Sequence, residues 1–368
     1  PWLLNELNQT QLEQDINMST VSYSIHQHVG IMSINNPPLN LLSHELREDI
    51  LNQITKAQSD TSKALVIICQ GRTFCAGADI KEFYHPSQSP SLPDLIATIE
   101  ASKKPVIASL HGSVLGGGVE LALSCHYRLA LHSTKVGLPE VNLGLLPGAS
   151  GTQRVPRLVG AKAALDFMTS GVPIPAAKAL ALGLLDHLVE ADLLTASLTY
   201  AKQLIEQQAT CRRVSELNVD NASYDDTFFA TYRAKLAKTM RGQQAPQLIV
   251  DCVEASTRLP FIEALQFERD QFMVCKANPQ SAALRHVFFA QSQAKNSAKK
   301  YQSKLPGGQP PQTIKRVGVI GAGTMGTGIA MCFANAGLQV TLVEINHQVL
   351  DKGMLMISQR YQSTHAKG

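Results

Sequence analysis

Several things are missing from this 368-residue chain, and each absence narrows the reading. Its 7 cysteines, an odd number scattered from Cys69 to Cys332, include no Cys-x-x-Cys pair, so neither a disulfide framework nor a zinc site is indicated and no metal is expected. They read as reduced core thiols. Aromatic residues are scarce, at 5%, and are not interleaved with any dense Lys/Arg block. With a diluted formal charge of +4, nucleic acid is not an expected partner, although a mild basic bias suits a phosphate-bearing small molecule. No uninterrupted apolar run approaches membrane-spanning length, and no basic-then-apolar leader is visible. What remains, 44% hydrophobic and 17% charged, is the composition of a globular protein with room for two or more domains. The expected compartment is a cytosol, or an organelle lumen reached by a signal this stretch does not show. The sequence carries no signal for oligomeric state.

Residues 1–17, rich in Asn and Gln and starting without Met, read either as an extension upstream of Met18 or as a native helix using Leu3, Leu4 and Leu7. Neither version carries chemistry. From Val21 onward, strand-like and helical patterns alternate. Val29 to Ile34 is strand-like, His44 to Ala57 helical, and the apolar runs Ala64 to Cys69 and Pro105 to Leu110 read as buried strands. Tyr127 to Leu131 is a further strand and Ala161 to Thr169 a further helix.

The stretch that organises the chain is Leu115-Gly-Gly-Gly-Val-Glu120. Its glycines leave no side chain between the backbone and its neighbour, and good helix formers follow, so a ligand oxygen can reach free amides at a helix N-terminus. On that helix Glu120 falls on the same face as the Gly117 amide, about one turn away. Alone, the stretch is equally an oxyanion donor beside an acid/base group and a glycine hinge ahead of a packing helix. A second small-residue loop, Gly71 to Lys81, turns amides toward a ligand around Asp79, Ile80 and Lys81. Glu140 sits among Pro139, Val141, Leu143 and Leu145, where partial desolvation would raise its pKa toward the range useful for proton transfer. A solvated loop glutamate is the plainer alternative.

Together these residues resemble the enoyl-CoA hydratase/isomerase, or crotonase, superfamily. The resemblance runs from Val21 to about Val189 and rests on Phe74-Cys-Ala-Gly-Ala-Asp-Ile-Lys81, Lys104-Pro105, Gly116-Gly-Gly-Val-Glu120, Gly137-Leu-Pro-Glu140 and Gly148-Ala-Ser-Gly-Thr-Gln-Arg154. It implies an α/β fold, a superhelix of strand-strand-helix turns, in which the amides of Ala78 and Gly117 hold a CoA thioester oxygen. It also implies that Glu120 and Glu140 form the hydratase pair, Glu120 activating water and Glu140 exchanging the α proton, with no cofactor. Isomerisation of a 3-enoyl to a 2-enoyl thioester is the natural companion activity. The alternatives are an isomerase-only or thioesterase-like crotonase, and a non-catalytic acyl-CoA-binding protein.

From Ala191 to Ser281 the pattern is mainly helical, without a catalytic constellation, and Asn218 to Asp226 reads as a loop. Arg212-Arg213 reads as a solvated pair, with contact to a CoA phosphate as the alternative. A one-faced helix from Ala282 to Lys300 leads into the Pro/Gly-rich linker Leu305 to Gln312. Then Arg316-Val-Gly-Val-Ile-Gly321-Ala-Gly323-Thr-Met-Gly326 is a strand entering a glycine turn, with a helix over Ile329 to Asn335 and a strand over Gln339 to Val343 ending at Glu344. In that order the glycines admit a pyrophosphate and Glu344 can bond a ribose hydroxyl, which favours NAD. This segment resembles the start of a 3-hydroxyacyl-CoA dehydrogenase. The combination is the arrangement of the bifunctional enzymes of fatty-acid β-oxidation, closest in wording to the peroxisomal type and its bacterial relatives, and it implies a peroxisomal or bacterial cytoplasmic setting.

The domain plan is therefore an extension over 1–17, a hydratase/isomerase part over 18–281 with its core ending near 190, a helix and linker over 282–313, and an incomplete Rossmann unit over 314–368. That unfinished sheet should expose an edge strand, and this stretch by itself is expected to hydrate without oxidising.

Overall fold

The computed structural model describes residues 20–219, 224–302 and 313–366. The extension 1–17 and the linker 305–312 lie outside the described residues, as does the middle of the loop expected from Asn218 to Asp226. The chain forms two compact units, residues 1–290 and 291–368.

In the first unit, β1 (Val21–His26) and β2 (Val29–Ile34) make an antiparallel hairpin, followed by α1 (His44–Ala57) and β3 (Ala64–Cys69). Leu46, Ile50, Ile54 and Ala57 recur at helical spacing and are fully buried, while Ser43 caps the first turn by accepting from the Leu46 amide. After α2 (Leu92–Glu100) come β4 (Val106–Leu110), β5 (Ser113–Leu115), α3 (Gly117–Ser124), β6 (Tyr127–Leu131) and β7 (Lys135–Gly137). Next are α4 (Gly151–Val159), α5 (Ala161–Ser170), β8 (Ile174–Pro175), α6 (Ala176–Leu182) and β9 (His187–Val189). The strand-strand-helix order repeats as the chain climbs.

The main sheet has the order β1-β2-β3-β4-β6-β9, parallel beyond the first hairpin. Both of its faces are covered. On β3, Leu65 and Ile67 point into the main core, while Ala64 and Val66 join a smaller cluster with Leu193, Ala201 and Leu204 of α7 (Leu193–Glu206). Two-sided burial is why this strand reads as an uninterrupted apolar run. Burying one such Leu or Ile fully stabilises the fold by roughly 1.5–3 kcal/mol. A second, three-stranded sheet, β5-β7-β8, lies one step along the chain from the glycine stretch.

Four further helices complete the set: α8 (Asp226–Thr239), α9 (Ala245–Arg258), α10 (Phe261–Ala277) and α11 (Pro279–Gln302). They are not an appendage. Phe229, Ile249, Val253 and Phe272 belong to the main core cluster.

The second unit contains β10 (Arg316–Ile320), α12 (Thr324–Asn335), β11 (Gln339–Val343) and α13 (His347–His365). The strands pair in parallel, Arg316 opposite Gln339 and Ile320 opposite Val343, so the segment is a β-α-β unit. Its first helix starts at Thr324, more than a turn before the expected Ile329. The reason is that Gly326 is inside the helix, where a Cβ would stand 1.8 Å from the Gly321 carbonyl oxygen. Glycine here serves close approach, not a break. Among the described residues both strands are edges, and Ile320 is 90% exposed.

Candidate active site

The glycine stretch turns sharply between β5 and α3. Gly116 has φ +53° and ψ −126°, a conformation that side-chain-bearing residues rarely adopt, and its amide donates to the Gly137 carbonyl. This aims the Gly117 amide off the start of α3. The neighbouring loop is pinned beside it, because the Leu115 amide donates to the Cys75 carbonyl and Leu42 bridges Ala78. A Cβ on Gly117 would lie 3.2 Å from the Ala78 nitrogen, so the two amides are close neighbours. Among the described residues neither N–H has an acceptor. Two free, adjacent amides at a helix start form a ready site for a developing oxyanion.

Both residues line a cavity of about 510 Å³ in the first unit. Glu120 and Glu140 line it too, with Leu143, Leu145, Leu146 and Phe272 supplying apolar wall and Arg269 and Lys276 supplying positive charge. The structure thus brings Ala78, Gly117, Glu120 and Glu140, separated in sequence, to one chamber. Ile80 is also in its wall. Asp79 and Lys81 are not: Asp79 instead caps a short 3-10 helix, Ile80–Tyr84, by accepting from the Lys81 amide at 3.0 Å, and Lys81 is exposed. Arg212 and Arg213 are not in this wall either. Arg212 pairs with Asp186 and lies over the Tyr127 ring, and Arg213 pairs with Glu216.

The two glutamates sit in different electrostatic settings. Glu120 is 3% exposed, and its Oε1 accepts from the Ala149 amide at 2.7 Å and the Gly151 amide at 2.9 Å. Burial pushes its pKa up to about 7, against the lowering influence of those amides and the Arg154 guanidinium. Glu140 is carried on a 3-10 helix, Pro139–Leu143, closed by Gly144 in the left-handed region at φ +64°. Its Oε2 is buried without a hydrogen-bond partner among the described residues. Burial, and then the charge of Glu120, hold the Glu140 carboxyl well above the usual range. The pair titrates together, with Glu140 the harder to ionise because it lacks comparable donors.

The segment Gly148 to Thr152, which holds Glu120, is itself heavily restrained. Ser150 is in the left-handed region at φ +80°, and its Oγ accepts from Arg154 Nε at 2.7 Å. Arg154 in turn makes a buried fork with Glu100. A Cβ at Gly151 would meet Glu120 Oε1 at 2.9 Å, and one at Gly148 would meet the Phe272 ring at 2.2 Å. Sequence reasoning missed one residue here. Glu268 of α10 is fully buried and accepts from the Ser150 amide at 2.6 Å, the Thr152 amide at 2.9 Å and Thr152 Oγ1 at 2.5 Å. The signal was present: Ala264, Glu268, Phe272 and Cys275 form the buried stripe of that helix, with an acid in an apolar series.

In the second unit, Gly321 has φ +99° and Gly323 caps α12 with no side chain in the way. A Cβ at Gly323 would meet nothing within 4 Å among the described residues, which leave the approach to the helix start open. Glu344 lies beside the turn, accepting from the Ala322 amide at 2.8 Å and from the Ile345 and Asn346 amides. A carboxylate has about four acceptor positions, so one remains for a ribose hydroxyl. Gly321, Gly323, Gly326 and Glu344 therefore fit a dinucleotide.

Fold and chamber together are those of a crotonase-type protein, and the chain belongs to the enoyl-CoA hydratase/isomerase family, whose model it matches over residues 24–247. Residues 316–368 match the model of the NAD binding domain of 3-hydroxyacyl-CoA dehydrogenase. The peroxisomal bifunctional enzyme of Danio rerio is 38% identical over 339 residues, 90% of this chain and 46% of that protein. The chain spans about half the length of the curated relatives it matches. A probable enoyl-CoA hydratase of Bacillus subtilis is 43% identical over 175 residues, 45% of this chain and 68% of that protein. The carnitinyl-CoA hydratase of Mycobacterium avium has the same fold, with a TM-score of 0.55 at 23% identity over 74% of this chain and 96% of its own.

Proposed function

We propose that residues 18–281 hydrate trans-2-enoyl-CoA thioesters to 3-hydroxyacyl-CoA, and also shift 3-enoyl to 2-enoyl double bonds. The observation that carries this reading is the coupled pair Glu120 and Glu140 in one cavity wall with the unbonded Ala78 and Gly117 amides. The thioester oxygen accepts from both amides. As charge moves onto it, the β carbon becomes electrophilic and the enolate-like transition state is stabilised, each donor contributing on the order of a hundredfold in rate. Glu120, the more readily ionised carboxylate, takes a proton from water as the water oxygen bonds the β carbon. Glu140, held protonated by its surroundings, delivers a proton to the α carbon. Water adds with no net change in oxidation state, and the proton on Glu120 returns to Glu140 by exchange with solvent. In isomerisation the ionised form of Glu140 takes the α proton, charge moves onto the thioester oxygen held by the two amides, and the proton is returned at the γ carbon as the double bond shifts.

Residues 314–368 are proposed to bind NAD, with Gly321 and Gly323 admitting the pyrophosphate, Gly326 letting the helix start close onto the Gly321 turn, and Glu344 bonding the ribose. When bound, NAD supplies a hydride acceptor for a 3-hydroxyacyl thioester, the product of the first unit. The proposed setting is β-oxidation, in a peroxisome or a bacterial cytoplasm.

The test is loss of the conjugated enoyl-thioester absorbance with crotonyl-CoA, for wild type, Glu120→Gln and Glu140→Gln. Conversion by the wild type, with a fall of about 10²–10⁴-fold in each variant, is expected. A folded wild type that leaves the absorbance unchanged overturns the reading.

A further inference from the structure

The four amides from Ala149 to Thr152 alternate between two buried carboxylates. Ala149 and Gly151 donate to Glu120, and Ser150 and Thr152 donate to Glu268. We propose that Glu268 is a positioning residue for hydration, which orients Glu120 through this shared backbone strip and sets its proton affinity by its own charge. The proposal rests on the hydratase reading above for its kinetic consequence, but not for the coupling itself.

Several observations make Glu268 more than a packing residue. It is fully buried on α10, at the centre of the stripe Ala264, Phe272 and Cys275, where an apolar side chain would be the default. Three donors converge on its two oxygens, and it donates to nothing among the described residues, so the site is built to receive the ionised form. No Lys or Arg forms an ion pair with it among the described residues. When it ionises, its charge is countered chiefly by the same strip that serves Glu120. Burial, and then the charge of Glu120, push the Glu268 carboxyl up to about 8, so the two acids compete for ionisation and each, once charged, raises the other. The groups that face this cluster are Glu140 on the 3-10 helix, Arg154 and Arg157 on α4 and Cys252 on α9. Arg154 is already committed to Glu100. Arg157 is attracted to Glu268 without forming an ion pair among the described residues, so repulsion between Glu268 and Glu120 is only partly compensated.

Two effects separate by substitution. Glu268→Gln keeps the reach and loses the charge, whereas Glu268→Asp keeps the charge and loses the reach to both Ser150 and Thr152. An exclusively structural role would lower stability in both without moving any titration. The experiment titrates the carboxyl carbons of 13C-glutamate-labelled full chain by NMR, identifying Glu120 by the signal lost in Glu120→Gln, alongside kcat, KM and pH profiles with crotonyl-CoA.

In Glu268→Gln the Glu120 midpoint is expected to fall by about half a unit or more, because a neighbouring negative charge is gone. The acid limb of kcat should follow it. In Glu268→Asp, kcat should drop about 10- to 100-fold with little change in KM and an acid limb that stays in place. An unmoved Glu120 midpoint in Glu268→Gln overturns the proposal, whether or not the wild type turns over. An inactive wild type with a shifted midpoint instead overturns the hydratase reading alone. If Glu268→Gln does not fold, Thr152→Val decides. It removes one donor from Glu268, which raises that group's proton affinity, so the Glu120 midpoint must move for the proposal to stand.

Discussion

Gly116 and Glu140 approach so closely that a methyl group on the glycine would sit 2.9 Å from the glutamate Oε1. The glycine that turns the chain toward α3 is therefore also the floor on which the second acid rests.

Gly116→Ala should act twice. At φ +53° and ψ −126°, outside the left-handed helical region, an added Cβ brings a strain of about 1–3 kcal/mol, and it displaces the Glu140 carboxylate. We expect hydration to fall by at least about tenfold, with a lower melting temperature. Normal kcat in this variant would show that Glu140 need not occupy its present position.

The pH profile of kcat should be a bell. Glu120 must be ionised, and burial raises its pKa to about 7, so activity should decline as pH drops through neutrality. Glu140 must carry a proton, and its pKa is raised well above the ordinary value, so activity should decline again on the alkaline side. Glu120→Gln should flatten the acid limb of whatever activity remains.

Stability should run against activity. A carboxyl whose pKa is raised by folding binds its proton more tightly in the folded state, so the fold loses stability as pH climbs from the unfolded value of 4.5 toward the folded one. Glu140→Gln removes that loss. Its melting temperature is expected to exceed that of the wild type at pH 8 and to converge with it near pH 4. Identical melting at both pH values would place Glu140 in a setting no harsher than water.

For the second unit, Gly326→Ala should disrupt the start of α12, since the Cβ would stand 1.8 Å from the Gly321 carbonyl oxygen. Glu344→Ala should leave the helix intact while weakening NAD binding and narrowing any preference for NAD over NADP. Saturation-transfer NMR with each dinucleotide reads both. Unchanged NAD binding in Glu344→Ala would remove the ribose role.

Much of this is legible in the sequence alone. Val29–Ile34, Ala64–Cys69 and His44–Ala57 announce themselves by local periodicity, and each is an element with those bounds. The glycine stretch marks the helix that begins at Gly117 because only glycine accepts the turn before it. Asp79 was harder to place, since an acid next to a small-residue loop looks the same whether it faces a ligand or caps the next turn.

What the sequence determined by itself are the local quantities: periodicity, turn chemistry, and the presence of Glu120 and Glu140 in recognisable surroundings. Only tertiary structure decided what depends on distant packing. The order β1-β2-β3-β4-β6-β9, the alternation of amides between Glu120 and Glu268, and the docking of Phe272 against Gly148 join residues distant in sequence, 29 positions apart for Ala149 and Glu120 and 118 for Ser150 and Glu268. A lone glutamate in a helix has no local mark of burial. Its environment is set by whichever backbone amides the rest of the fold presents to it, and that is a long-range property.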